Sequence, residues 1–240
     1  MIHIFPSEAL FDRASALRIA GQIAEKPDSL IGLSTGRTTG AMHRLVVQIC
    51  REQAIDTSRI CFFGVDEVVG IPPDNPAACA AMLRTEIIGP MGIPDRRFLM
   101  LPTCSDDFPA ACRAFRAALD RRGGIDLLVL GLGENGHLGF NQPGTPADSR
   151  TQLAAIDPDS ETRIRARAML PPDAPLGGIT LGLADILEAR SLMLVAKGSG
   201  KAEIVRKMLL GRVTEAVPAS LLRHRPDCDY YFDTQAAAKL

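Results

Sequence analysis

No stretch of this 240-residue chain approaches the ~20 consecutive apolar residues that a membrane-spanning helix needs. No charge of one sign dominates either. The 27 basic and 28 acidic side chains leave a formal net charge of −1, too little field to gather nucleic acid or an anionic membrane. The first residues, MIHIFPSEALFDRAS, lack the basic and then apolar run of a secretory signal. The cysteines (Cys50, Cys61, Cys79, Cys104, Cys112, Cys228) make no CxxC pair and no zinc-finger spacing with the histidines. All are expected to be reduced and structural, with Cys50 and Cys61 as small buried thiols. A Walker A sequence, a GxGxxG fingerprint, internal repeats and low-complexity tracts are also missing. What remains is a globular protein, expected in the cytoplasm, with no nucleic-acid and no membrane partner.

A composition of 46% hydrophobic and 23% charged residues is that of an ordinary folded chain, and it excludes disorder, collagen and coiled coil. Chains of this length bury about 70–75% of their unfolded surface, enough for a sizeable core. Apolar runs at 29–33, 59–65, 125–130 and 192–196 read as buried strands, the third being the clearest. Residues 229–232 suit a short last strand. Met42, Leu45, Val46 and Ile49 share one helical face and predict a helix over 41–53. Residues 75–88, 107–121 and the stretch up to Leu210 also read as helices. The alternation predicts an α/β fold, a mostly parallel sheet with helices on both faces. The Pro-rich segment 157–178 shows no clear core strand and is read as a lid within a single domain of 1–240.

Ligands of such sheets sit beyond the carboxyl ends of the strands. Four polar or Gly-rich segments follow strands here: STGRTTG, DEVVG, GENGHLGFNQPG and KGSGK. STGRTTG, between a strand and a helix, is laid out as an anion cradle of backbone amides. Taken alone, it reads more readily as a tight turn in which Thr38 or Thr39 caps the helix. Asp66 or Glu67 at a strand end could act as a general base, though such residues are often surface or capping groups. His137, in a Gly-flanked loop between Asn135 and Gln142, is the best functional candidate of the histidines. His3, His43 and His224 are read as structural or solvated. Lys201 at a helix start can meet a phosphate as a point charge, or be an ordinary surface lysine.

Taken in order, STGRTTG, FFGVDEVVGIP, LVLGLGENGHLGFNQPG, SRT, ITLGLADILEA, GSGKAEIV and VPASLL resemble the glucosamine-6-phosphate deaminase (isomerase) family. The resemblance runs from about residue 30 to the C-terminus, and LGLGENGHLGFNQPG is its most specific block. In places it is closest to the galactosamine-6-phosphate isomerase branch. The related 6-phosphogluconolactonases share a DE…GHT pattern but continue into a Ser-Leu-Phe-Pro type segment that this chain lacks.

The resemblance implies a Rossmann-like three-layer α/β/α fold and an aldose–ketose isomerisation coupled to loss of ammonia from a sugar phosphate. It implies that Asp66 moves a proton between C2 and C1, and that His137 opens the pyranose ring at its oxygen. Asn135 and Gln142 are implied beside them. Ser34, Thr35, Gly36, Arg37, Thr38 and Lys201 are implied to hold the phosphate, joined by a lid arginine: Arg167, or else Arg165 or Arg163. This chemistry calls for no metal and no organic cofactor. A homo-oligomer is compatible with the resemblance.

Two positions depart from the family's pattern. Gln142 stands in FNQPG where the family has FNEPG, and a neutral amide gives an imidazolium no charge support. Arg37 and Thr39 replace smaller or apolar residues of the turn and bring an extra cation to the proposed phosphate. These departures keep two other readings in view. One is a sugar-phosphate lactonase with His137 activating water. The other is a catalytically weakened sugar-phosphate-binding protein.

Overall fold

Successive side chains of a strand point to opposite faces of its sheet, and the buried strands of this protein divide their apolar residues accordingly. In the computed structural model, which describes residues 1–240, Leu30, Phe63, Leu128, Leu194 and Phe232 enter one core. Their neighbours Ile31, Phe62, Val129, Met193 and Tyr231 enter a second core on the other face. A sheet lined on both faces in this way needs two layers of helices, and it has them.

The first half of the chain runs β1 (Ile2–Phe5), α1 (Glu8–Glu25), β2 (Leu30–Leu33), α2 (Gly40–Glu52), β3 (Cys61–Gly64), β4 (Asp66–Val69), α3 (Cys79–Leu83), β5 (Phe98–Leu99) and α4 (Phe108–Asp120). It continues through β6 (Leu127–Gly131), β7 (Gln152–Ala154), α5 (Pro158–Ala168), β8 (Gly177–Thr180), α6 (Leu183–Leu187), β9 (Leu192–Ala196), α7 (Ala202–Leu210) and β10 (Asp229–Asp233). The main sheet has the order β1-β10-β9-β6-β2-β3-β5, and every neighbouring pair is parallel. Helices α1 and α2 cover one face, and α4, α6 and α7 the other. This is the expected Rossmann-like three-layer α/β/α arrangement.

From β2 the chain steps outward to β3 and β5, then returns to place β6 on the opposite side of β2. The loops after β2 and β6 therefore diverge and leave a crevice at this switch point. Its position explains why two of the Gly-rich segments meet.

Two readings of the sequence need correction, and a third segment gains a helix. Asp66 and Glu67 do not close the strand before them. They open β4, which belongs to a separate antiparallel sheet of order β4-β8-β7. The helix expected over 75–88 is regular only from Cys79 to Leu83 and continues as a π-helical turn over Arg84–Ile88. Pro76 lies in the earlier stretch, and the Glu67 carboxylate accepts the amides of Cys79 and Ala80, fixing the start at 79. Segment 157–178 contains helix α5, whose first turn follows the Asp-Pro signal: Asp157 caps it and Pro158 takes the first helical position. The helix ends at Met169, in the left-handed region at φ 54°. No helix is long and apolar enough to cross a membrane.

Candidate active site

The crevice opens into a cavity of about 570 Å³. The turn after β2, the start of β4, α3, the loop after β6, helix α5 and the approach to α7 all contribute to its wall.

Asp66 lies where the chain passes from one sheet to the other. Val65 still donates to Leu33 of the main sheet, and Asp66 is in register with Thr180 of the small one. Its carboxyl is enclosed on the cavity wall. The Cys79 thiol donates to Oδ1 at 3.5 Å, and the Thr35 hydroxyl in turn donates to the Cys79 sulfur at 3.2 Å. Burial, and after it the charge of neighbouring Glu67, lifts the Asp66 carboxyl to about 7. Such a group can both take and return a proton near neutral pH. Glu67 has a different task. Its oxygens accept the amides of Val68, Cys79 and Ala80 at 2.7–2.8 Å, so it ties β4 to α3 and does not line the cavity.

His137 is carried by the loop after β6. The Asn135 side chain accepts the His137 backbone amide at 3.0 Å, and buried Asn141 donates to the carbonyls of Leu138 and Leu181. The imidazole packs on Gly133, where a Cβ would lie 2.4 Å from the ring. The same loop passes Asp66 at Gly139, where a Cβ would meet the Thr180 hydroxyl oxygen at 2.5 Å. Two glycines of the motif are thus required by close approach, one beneath each candidate acid–base group. Burial pushes the His137 imidazole below its ordinary value, with Lys201 and Arg163 adding to the effect and Asp157 and Glu134 opposing it.

Gln142 is not among the residues that the structure brings into the cavity. Its Oε1 accepts from Asn135 Nδ2 at 3.0 Å. The carboxylate facing the imidazole comes instead from Asp157, whose Oδ2 is 3.6 Å from His137 Nδ1.

At the other end of the cavity the backbone amides of Thr35, Gly36, Arg37 and Thr38 donate to no group of the protein. Thr39 occupies the cap position of α2, but its hydroxyl is turned to the carbonyl of Gly36 and caps nothing. The helix start is therefore open to an anion. Ser34 Oγ is likewise buried without a partner. Arg37 and Lys201 flank the Glu134 carboxylate at 3.6 and 4.0 Å. Burial draws the Lys201 amine below its usual range, and the nearby Arg37 and Arg163 charges do the same, against Glu134. Arg163 and Arg167 both line the cavity. Arg165 does not: it pairs with Glu161 and donates to the carbonyls of Pro171 and Ala174, closing the end of α5.

The structure thus gathers Asp66, His137, Asn135, Ser34, Thr35, Gly36, Arg37, Thr38, Arg167 and Lys201 around one space. Sequence reasoning missed Cys79, taken as merely structural, for which no signal existed. It also missed Asp157, although an Asp-Pro pair before a helical pattern marks a cap. Cys61 proves half-exposed and Cys104 exposed, while Cys50 is buried as expected. His43 is a core residue, with Nδ1 2.8 Å from Glu86.

The family described as glucosamine-6-phosphate isomerases/6-phosphogluconolactonase matches residues 8–230. A glucosamine-6-phosphate deaminase of Rhodopirellula baltica is 37% identical, the alignment covering 100% of this chain and 97% of the relative. One from Halothermothrix orenii is 35% identical over 95% of each chain. Among solved structures, a monomeric glucosamine-6-phosphate deaminase superposes with a TM-score of 0.93 at 29% identity, covering 100% of this chain and 99% of that one. A 6-phosphogluconolactonase from Trypanosoma brucei, at 19% identity and a TM-score of 0.80, covers 100% of this chain and 98% of its own and shares the fold.

Proposed function

The chain belongs to the family of glucosamine-6-phosphate isomerases and 6-phosphogluconolactonases, and from that premise we propose that it is an amino-sugar-phosphate deaminase. It converts a 2-amino-2-deoxyhexose 6-phosphate, glucosamine 6-phosphate or an epimer, with water into a ketohexose 6-phosphate and ammonia.

The observation that carries this reading is the enclosed Asp66 carboxyl, lifted to about 7 and sharing one cavity with His137 and an open anion cradle. Lactone hydrolysis removes no proton from carbon. An aldose–ketose shift must move one from C2 to C1, and a carboxyl that titrates near neutral pH suits both halves of that transfer.

The phosphate is held by the amides of 35–38, the Ser34 hydroxyl, Lys201, Arg37 and an α5 arginine, which orients the reacting carbons by remote binding energy. His137 delivers a proton to the ring oxygen as the C1–O5 bond breaks, and it recovers one from the C1 hydroxyl. The resulting aldehyde acidifies the C2 proton. Asp66 takes that proton to give the enolamine, in which O1 gains the proton that the amino nitrogen gives up, and then returns its own to C1, leaving an imine at C2. Water adds there and ammonia departs. Asn135 holds the His137 backbone in register. Residues 157–178 act as a lid on a single domain, and every group named comes from one chain. A cytoplasmic place in amino-sugar metabolism goes with this reading.

The test is ammonia release across a panel of hexosamine 6-phosphates, with 6-phosphogluconolactone included. Release from at least one amino sugar without added metal is expected. Lactone hydrolysis with no ammonia from any sugar would overturn the proposal.

A further inference from the structure

A ring-opening histidine passes through its charged form, and the family position that could support that charge is a neutral amide in this chain. The amides of this loop do not serve the ring. Gln142 pairs with Asn135, and Asn135 ends on the main chain of His137. The imidazole Nδ1 and one carboxylate oxygen, Asp157 Oδ2, are both buried with no hydrogen-bond partner. They face each other at 3.6 Å.

The geometry points to Asp157 as the positioning residue of His137: resting on the reading above, we propose that it holds the Nδ1 proton and supports the imidazolium, and that it does so only while α5 is folded over the site. The two oxygens of Asp157 have separate duties. Oδ1 accepts the Ser160 amide at 3.0 Å as the cap of α5, which fixes the plane of the carboxylate and leaves Oδ2 for the ring. Closing 3.6 Å to the ~2.8 Å of a charge-assisted hydrogen bond needs a shift of only about 0.8 Å. A proton on Nδ1 then leaves Nε2 as the nitrogen available to the sugar.

The surroundings agree with this assignment. Burial disfavours the Asp157 anion, but the hydrogen bonds to Ser160 and the charges of His137 and Arg163 outweigh it and hold the carboxyl below its ordinary range. The other charged groups that act on His137 are Lys201 at the start of α7, Arg163 on α5 and Glu134 on the loop, with Asp66 across the cavity. The cations oppose the imidazolium. Glu134 is half-exposed and also faces Arg37 and Lys201. Asp157 is therefore the enclosed anion that faces Nδ1. Because its side chain both caps the helix and meets the ring, unwinding the first turn of α5 releases His137.

The experiment is a pH titration of the imidazole nitrogens by 15N NMR in the substrate-free full chain, with His137 assigned from His137→Gln. Asparagine is as good a cap as aspartate, so Asp157→Asn removes the charge and keeps the helix. The His137 pKa is expected to fall by about one unit, as for loss of an opposite charge at this range, and its Nδ1–H preference should be lost. On an amino-sugar phosphate, kcat should fall at least tenfold. An unchanged pKa and tautomer in Asp157→Asn would overturn the proposal. If that variant does not fold, Asp157→Ser, which keeps an oxygen cap, carries the same measurement. The deaminase reading fails separately: a wild-type protein that releases no ammonia from the panel sinks it, whatever the titration shows.

Discussion

The two ends of the cavity are built on opposite principles. At the anion end, open backbone amides, Arg37, Lys201 and Arg163 present charge and unpaired donors to whatever enters, and Arg37 is 82% exposed. At the acid–base end, Asp66 and His137 are enclosed, and burial is the largest influence on each. In the proposed mechanism one end recognises by charge that is present all the time. The other, in the same mechanism, acts through groups whose charged forms burial disfavours, so that a proton is gained or lost with little cost. The same physics of burial also shifts Lys201, yet there the cation stays useful because an incoming anion restores it.

The largest test of this contrast is Asp66→Asn, which keeps the shape and removes the acceptor. Exchange of the C2 proton with deuterated solvent should fall by about 10²–10⁴-fold while phosphate binding persists; near-normal exchange would move the base elsewhere. The same variant should be more stable than the wild type at alkaline pH. With its pKa raised from 3.8 to about 7, the folded protein binds more protons than the unfolded chain in that window, so stability declines as pH rises through it. The gain in Tm for Asp66→Asn should therefore be negligible below pH 3.8, grow up to about pH 7 and then level off.

Next in size is Lys201→Ala. Loss of a charge-assisted contact costs about 1.5–3 kcal/mol, so KM for the phosphorylated sugar should rise ten- to a hundredfold with a smaller change in kcat. An unchanged KM would place the phosphate away from this end.

A third effect is the pH profile. The base must be ionised, so kcat/KM should fall by about tenfold per unit as pH drops below the Asp66 value near 7. A flat profile down to pH 5 would mean that the carboxyl stays charged despite its burial.

The smallest difference should separate two arginines. Arg163 is among the charges that weigh most on both His137 and Lys201, and Arg167 is not. Arg163→Ala should raise KM several-fold more than Arg167→Ala in the same assay; the reverse order would restore Arg167 as the lid contact.

The inner strands of the main sheet were readable because they are apolar on both faces, as in LLVLG, whereas the edge strands β1, partly exposed, and β5, two residues long, gave no such run. The turn after β2 was legible only in part: STGRTTG lies between a strand and a helix as an amide cradle does, but alone it favoured a capped turn, and the resemblance supplied the anion. The acid–base end was only half legible. Asp66 and His137 lie in recognisable blocks, but their surroundings are made by residues far apart in sequence. Cys79 reaches Asp66 because Glu67 anchors the start of α3, and Asp157 turns Oδ2 toward His137 because its Oδ1 is engaged as the cap of α5. The small sheet escaped notice because β7 and β8 are short, and β8 begins with two glycines that give no alternating pattern.

Thr180 pairs in register with Asp66, and its hydroxyl accepts the Phe140 amide at 3.2 Å, one residue past Gly139. A single threonine on a short strand therefore joins the proposed base, Asp66, to the loop that carries the proposed acid, His137. For directed evolution this sets unequal freedoms. Libraries over the phosphate turn or the outer face of α5 sample substrate preference one wall at a time. A library at Thr180 would change the spacing of both reacting groups together, and most of its members should lose turnover on every sugar at once.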